Sequence, residues 1–178
     1  MSKIAILAWG SLFWDKRILA IQNEWNNDGP TLPIAFSRIS QDGRLTLVID
    51  PKYGDETQCF WALSEFSDLK NALNNLASRE GTILRYIGYA DVSSKSVESR
   101  YSNSIFDNLL VWGKNMNIDF IIWTDLPSNF STKYGMPYSQ NNAYNYLSTL
   151  QGNEKEKALE YIKRSPDCIT SPLRKMTE

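Results

Sequence analysis

The chain has no histidine among its 178 residues. That absence excludes Ser-His-Asp and Cys-His catalysis, and every zinc site that relies on imidazole. Cysteine is nearly as scarce. Cys59 and Cys168 cannot make a four-cysteine zinc site, and they lie far apart without metal-ligand spacing. Both are expected as free thiols in a reduced, cytoplasmic compartment. No basic block or stripe occurs and the formal net charge is −1, so no nucleic-acid partner is expected. Long apolar runs are missing too. The most apolar stretches, such as residues 4–7 and 120–123, have the length of short strands. Neither a membrane span nor a signal peptide fits them, so no membrane partner is expected. The chemistry left open is carboxylate acid/base work, Lys or Tyr chemistry, carboxylate-bound metals, or no catalysis at all.

Large aromatics are plentiful, with six tryptophans and nine tyrosines to line a core or a pocket. The length suits one domain over residues 1–178, and such a domain buries roughly 70% of its unfolded surface. Residues 3–8 (KIAILA) read as a buried strand, broken by Trp9-Gly10-Ser11-Leu12. Residues 33–40 and 44–50 form a hairpin around Gln41-Asp42-Gly43, and 51–56 are loop. Residues 58–63 are a further strand. Ser67 or Asp68 caps a helix that Gly81 stops after Glu80. A strand over 83–92 follows, then a helix over 98–115 with Ile105, Leu109, Trp112 and Met116 as its core stripe. Residues 118–124 are a buried strand, 126–140 a long loop, and 141–150 and 154–164 two helices, the second ended by Pro166. Strands dominate the first half and helices the second. This order predicts an α+β domain whose sheet is mixed or largely antiparallel and can curl into a barrel.

Two features carry chemistry. In the helix before Gly81, Leu69, Leu73, Leu76 and Glu80 fall on one face. The leucines turn that face to the core, so Glu80 projects from it in the last turn. Burial and the negative end of the helix dipole both raise a carboxylate's pKa, which suits proton transfer near neutrality. The structural alternative is a frayed last turn with Glu80 neutralised by Arg79. The second feature is Gly10-Ser11, directly after a buried strand. Backbone N–H groups at such a turn can hold an anion or a developing oxyanion, and glycine admits a close ligand. Most such turns merely turn the chain, and the glycines of a dinucleotide site or P-loop are missing.

Together the two features resemble the gamma-glutamylcyclotransferase family. The first motif stands as Ile6-Leu7-Ala8-Trp9-Gly10-Ser11-Leu12. The second stands as Cys59-Phe60-Trp61-Ala62-Leu63 followed by Leu76-Ala77-Ser78-Arg79-Glu80-Gly81. The likeness covers residues 4–92, and the chain looks like a larger bacterial branch of the family. The resemblance implies a small mixed β-barrel flanked by helices, with residues 97–178 as an extra, helical C-terminal elaboration. It implies a turn whose residues Trp9, Gly10, Ser11 and Leu12 bind substrate, with Glu80 as the catalytic base. It also implies a reaction without metal or cofactor. The substrate's α-amine attacks its own γ-glutamyl carbonyl, releasing 5-oxoproline and an amine. The partner would be a small γ-glutamyl-type molecule. Trp9 departs from the family's tyrosine, which removes a hydroxyl contact, and Trp14 adds a second bulky ring.

Arg38 shares a strand face with Ile34 and Phe36, so it is a candidate for binding a substrate carboxylate. Its structural alternative is capping a sheet end or pairing with an acid such as Asp15. Asp119 and Asp125 flank a buried strand on one face, but strand ends commonly carry solvated aspartates, and no metal is expected there. A competing reading of the whole chain is a non-catalytic small-ligand or protein-binding module on the same fold, its pocket filled by Trp9 and Trp14.

Overall fold

The computed structural model describes all 178 residues. It is an α+β protein with two sheets. In chain order the elements are β1 (Ile4–Ala8), α1 (Ser11–Trp14), β2 (Thr31–Ile39), β3 (Leu45–Ile49), β4 (Asp55–Gln58), β5 (Phe60–Leu63) and α2 (Leu69–Glu80). Then come β6 (Ile87–Asp91), β7 (Ser96–Glu98), α3 (Asp107–Asn115), β8 (Phe120–Thr124), α4 (Phe130–Tyr134), α5 (Gln140–Thr149) and α6 (Gly152–Arg164). No helix is long and apolar enough to cross a membrane.

The chain divides into two compact units and passes between them five times. The first comprises Met1–Ala8, Asp15–Leu32 and Gln58–Leu126. It holds a five-stranded mixed sheet in the order β5-β1-β8-β6-β7. β1 pairs antiparallel with β5 and parallel with β8, and β6 pairs antiparallel with β8 and β7. β1 is buried along its whole length, as are Ile121, Ile122 and Trp123 of β8, so these strands carry apolar residues on both faces. α2 packs on β8 and β6.

The second unit comprises Trp9–Trp14, Pro33–Thr57 and Pro127–Glu178. Its frame is the three-stranded sheet β3-β2-β4, with α6 packed on β3. Ala158, Tyr161 and Ile162 form the buried stripe of α6. Ser165, extended ahead of Pro166, ends that helix, because a residue before proline is pushed out of the helical region.

The barrel expected from the resemblance does not close. β2 and β3 make a separate sheet with β4, and the five-stranded sheet ends at the three-residue strand β7. Its other edge, β5, is covered by the 26–30 segment: Asn26 exchanges backbone hydrogen bonds with Trp61, and Gly29 N–H donates to the Cys59 carbonyl. The helix expected over 98–115 starts only at Asp107, after the edge strand β7 and a 3-10 turn at Asn103–Phe106. Its buried residues are Leu109 and Gly113, preceded by Phe106. Ile105, Trp112 and Met116 are only half-buried. Residues 83–86, expected in a strand, include a 3-10 turn instead; β4 begins inside the stretch 51–56 expected as loop, and α4 lies within the loop expected over 126–140.

Candidate functional site

The C-terminal end of α2 is built by local rules. Asp68 caps the first turn, its carboxylate accepting from Asn71 N–H at 3.0 Å. At the other end Gly81 takes φ 63°, and Gly81 N–H donates to Ser78 O while Thr82 N–H donates to Ala77 O. This paired closure fixes Glu80 as the last residue of the helix. The buried residues are Ala72, Leu76, Ala77 and Arg79, while Leu69, Leu73 and Glu80 are half-buried. The core face is thus rotated from the expected leucine stripe, and its last member is a cation.

Arg79 is the residue that sequence reasoning missed, having cast it only as a charge that neutralises Glu80. Its side chain is 3% exposed against 14% for Glu80. Nε and Nη2 both donate to the Asp15 carbonyl, and Nη1 donates to Glu80 Oε1 at 2.8 Å. The available signal was the 72/76/79 spacing, which is as helical as the leucine stripe. Around this pair, Asn75 receives Ala20 N–H at 2.9 Å and donates to Ile18 O at 3.0 Å. Arg79 and Asn75 therefore fasten the 15–20 segment along α2. On that segment Arg17 Nε meets Asp15 Oδ2 at 3.0 Å.

Burial holds the Glu80 carboxyl above its ordinary range. The charges of Arg79 and Arg17, and hydrogen bonds from Arg79 and Thr124, pull the other way without cancelling it. Neutralisation by Arg79 and elevation by burial, posed as alternatives from the sequence, coexist here, and burial is the larger. A carboxylate raised in this way holds a proton more readily than an exposed one, which suits a proton acceptor.

In the second unit, Trp9 is buried, and its Nε1 donates to Leu47 O at 3.3 Å. Ser11 and Leu12 open the single helical turn α1, whose first hydrogen bond runs from Phe13 N–H to Gly10 O at 2.9 Å. A Cβ on Gly10 would stand 2.7 Å from the Tyr161 hydroxyl, so a larger residue there must displace that phenol. Tyr161 Oη accepts from Leu47 N–H at 3.4 Å. Its ring meets Trp14 edge-on at 5.2 Å and lies under the Arg44 guanidinium at 5.6 Å. β2 is bulged between Ala35 and Arg38, which breaks the two-residue alternation that placed Arg38 on one face with Ile34 and Phe36. Arg38 Nη1 donates to the Pro127 carbonyl at 2.7 Å, while Asp15, its expected partner, pairs with Arg17. Glu80 thus belongs to the first unit, and Trp9, Gly10, Ser11, Leu12 and Arg38 to the second.

Comparison with protein-family models, curated proteins and solved structures gives no match to this chain. The candidate site therefore stands on its own geometry.

The flanking aspartates behave differently from each other. Asp119 is exposed and accepts from Lys3 N–H at 2.7 Å. Asp125 is not the solvated strand end expected. It is 2% exposed, and it accepts from the Ser99 hydroxyl, Arg100 N–H and Trp123 Nε1. Nowhere do three or more Cys, Asp or Glu side chains gather in a way that would hold a metal ion.

Proposed function

We propose that the chain cyclises a γ-glutamyl amide, with Glu80 as general base. The α-ammonium of the substrate gives a proton to the Glu80 carboxylate. The freed amine nitrogen attacks the γ-carbonyl carbon, forming the ring C–N bond. Collapse of the tetrahedral adduct breaks the original amide C–N bond; the leaving nitrogen takes the proton back from Glu80, the ring nitrogen gives up its second proton through the same carboxylate, and the amine departs as its ammonium. The products are 5-oxoproline and a free amine, and no water is consumed. Ring closure within one molecule lets orientation supply much of the rate.

One observation carries this reading: a carboxylate nearly buried at a fixed helix end, its pKa raised by burial despite a bonded arginine. An α-amine has an ordinary pKa of about 8, so a carboxylate of raised pKa is a better matched acceptor for its proton than an exposed one. The substrate contacts that the resemblance assigns to Trp9, Gly10, Ser11 and Leu12 are a separate claim of this reading, with a test of their own below.

The test is release of 5-oxoproline from a panel of γ-glutamyl dipeptides and γ-glutamyl amines, followed by chromatography. Wild type is expected to turn over at least one member, and Glu80→Gln to lose about 10²–10⁴-fold in kcat. Equal rates for the two proteins, or no release from any member, sink the proposal.

A second reading, a binding module without catalysis, is favoured by the Tyr161 phenol seated against Gly10 and by the Trp9 indole bonded to Leu47. It predicts that panel members bind and are recovered intact.

A further inference from the structure

Asn75 and Arg79 stand four residues apart on α2, so their side chains leave one face of the helix. Both reach the 15–20 segment that runs along that face. Asn75 accepts from Ala20 N–H and donates to Ile18 O. Arg79 donates from Nε and Nη2 to the Asp15 carbonyl. The segment is itself fastened at its far end. Glu65 N–H donates to Ala20 O at 3.0 Å, Gln22 N–H donates to Leu63 O at 2.8 Å, and Leu19 is buried. Arg79 is therefore fixed from outside its own helix. With Nε and Nη2 on one carbonyl, the planar guanidinium is held in one orientation, and that orientation brings Nη1 to 2.8 Å from Glu80 Oε1.

Glu80 has less to hold it. It is the last residue of α2, and its carboxylate ends a flexible side chain. The charges that act on it are Arg79 from its own helix and Arg17 from the 15–20 segment, the latter with its Nε on Asp15 Oδ2. β8 adds the Thr124 hydroxyl, a neutral group whose proton can turn. Arg79 is the charged donor in direct contact. A guanidinium N–H bonded to Oε1 keeps that oxygen as an acceptor. When the carboxylate takes up a proton, the hydrogen then belongs on Oε2, because the carbonyl oxygen of an acid accepts better than its hydroxyl. The same contact favours the ionised form, which works against a carboxylate that burial would otherwise keep protonated.

We infer that Arg79 is the positioning residue of the general base: held by the Asp15 carbonyl, it locks Glu80 Oε1 and leaves Oε2 to take the substrate's proton. This rests on the reading of Glu80 as the base of the cyclisation. The 15–20 segment, which meets no reacting atom, then governs the base through the Arg79 guanidinium.

Carboxyl carbon NMR of protein isotopically labelled at glutamate Cδ tests it without a substrate, the Glu80 resonance being the one lost in Glu80→Gln. Arg79→Met keeps the length of the side chain and removes its hydrogen bonds and charge. The proton affinity of Glu80 is expected to rise about tenfold or more in Arg79→Met. Arg79→Lys, which cannot hold Asp15 and Glu80 together, should fall between that variant and wild type. It keeps the charge, and so decides the matter should Arg79→Met not fold. In turnover of a γ-glutamyl compound, each variant should lower kcat about tenfold or more with KM within about twofold. The acid limb of the kcat profile should move to higher pH in step with the NMR titration. A Glu80 titration that coincides in wild type and the folded variants overturns the positioning role, even where the melting temperature falls, and so does wild-type kcat in a variant whose titration has shifted. A shifted titration in a protein whose wild type releases no 5-oxoproline from any γ-glutamyl compound overturns the cyclisation and leaves the hold of Arg79 on Glu80 standing. Release by wild type with an unshifted titration in the variants does the reverse.

Discussion

Glu80 and Asp125 are both carboxylates withdrawn from water at the end of an element, and each lies beside an arginine. Their surroundings differ in kind. Asp125 is 2% exposed and receives the Ser99 hydroxyl, Arg100 N–H and the Trp123 indole, while Arg100 Nε donates to its carbonyl at 2.6 Å. It ties the 99–100 segment to the end of β8, and its acceptor sites are filled from within the chain. Glu80 is desolvated but engaged by only one arginine nitrogen and the Thr124 hydroxyl. Thr124 directly precedes Asp125, so one strand end touches both groups. The difference teaches how a buried carboxylate becomes structural or reactive. Several donors fill the acceptor sites of a buried carboxylate and make it a tie within the fold, whereas burial with few donors raises the proton affinity, as at Glu80.

The sharpest way to break this comparison is to treat both residues alike. Glu80→Gln should lower kcat for 5-oxoproline release by about 10²–10⁴-fold, whereas Asp125→Asn, assayed while folded, should leave kcat unchanged. Equal losses in both would dissolve the contrast. Stability should respond in the opposite order. Asp125→Ala leaves three donors without their acceptor and should cost about 3 kcal/mol in urea unfolding, since stranding one buried group costs about 1–3 kcal/mol. Glu80→Gln, which keeps the shape and can still accept from Arg79, should cost far less.

Much of the first of these sites could be read from the chain. Asp68 and Gly81 mark the ends of α2 by capping chemistry alone, so Glu80 is placed at a helix terminus before any tertiary contact is known. Its environment was less legible. Two stripes of the same period run along α2, and the one chosen on leucines is not the one most buried, because Arg79 turns inward to reach the Asp15 carbonyl. Asp125 was misjudged for a related reason. Its donors come from residues 99 and 100, in a stretch expected to be helical, and the pairing of β7 with β6 overrides that local tendency. The contact of Arg38 with the Pro127 carbonyl was not legible, because strand parity does not reveal the bulge in β2. Barrel closure depends on which distant strands pair, and no local pattern in β2 or β3 encodes that they form a sheet with β4.

The turn at Gly10 extends the contrast to the second unit, where it resembles the filled case. Tyr161 is 6% exposed and its ring is bracketed by Trp14, Phe36 and Arg44. Gly10→Ala brings a methyl group to 2.7 Å from its hydroxyl. The expected cost is about 1–3 kcal/mol, as for other overpacked sites. Adding Tyr161→Phe should recover part of it, a coupling that a double-mutant cycle measures. If Gly10→Ala also lowers affinity for the γ-glutamyl panel in the folded protein, the turn contacts ligand as the resemblance implies. An effect on melting temperature alone makes the glycine a packing residue and favours the binding-module reading of this fold's tyrosine-filled turn.

The smallest effect is the most direct reading of the raised proton affinity of Glu80. Because the folded pKa of Glu80 lies above its unfolded value, the native state holds more protons than the unfolded state between those two values. Stability then falls as pH rises through that window, since its slope with pH follows the difference in bound protons between unfolded and native states. The contribution is fully present below the unfolded pKa of about 4.3 and lost as pH climbs past the folded value. Glu80→Gln carries no proton to lose, so its melting temperature should gain on wild type as pH rises from the acid side of that window, and the gap should close again on acidification. A gap of the opposite sign, with wild type gaining as pH rises, would mean that the Arg79 contact outweighs burial. Glu80 would then be a structural contact, as Asp125 is, rather than a group poised for proton transfer.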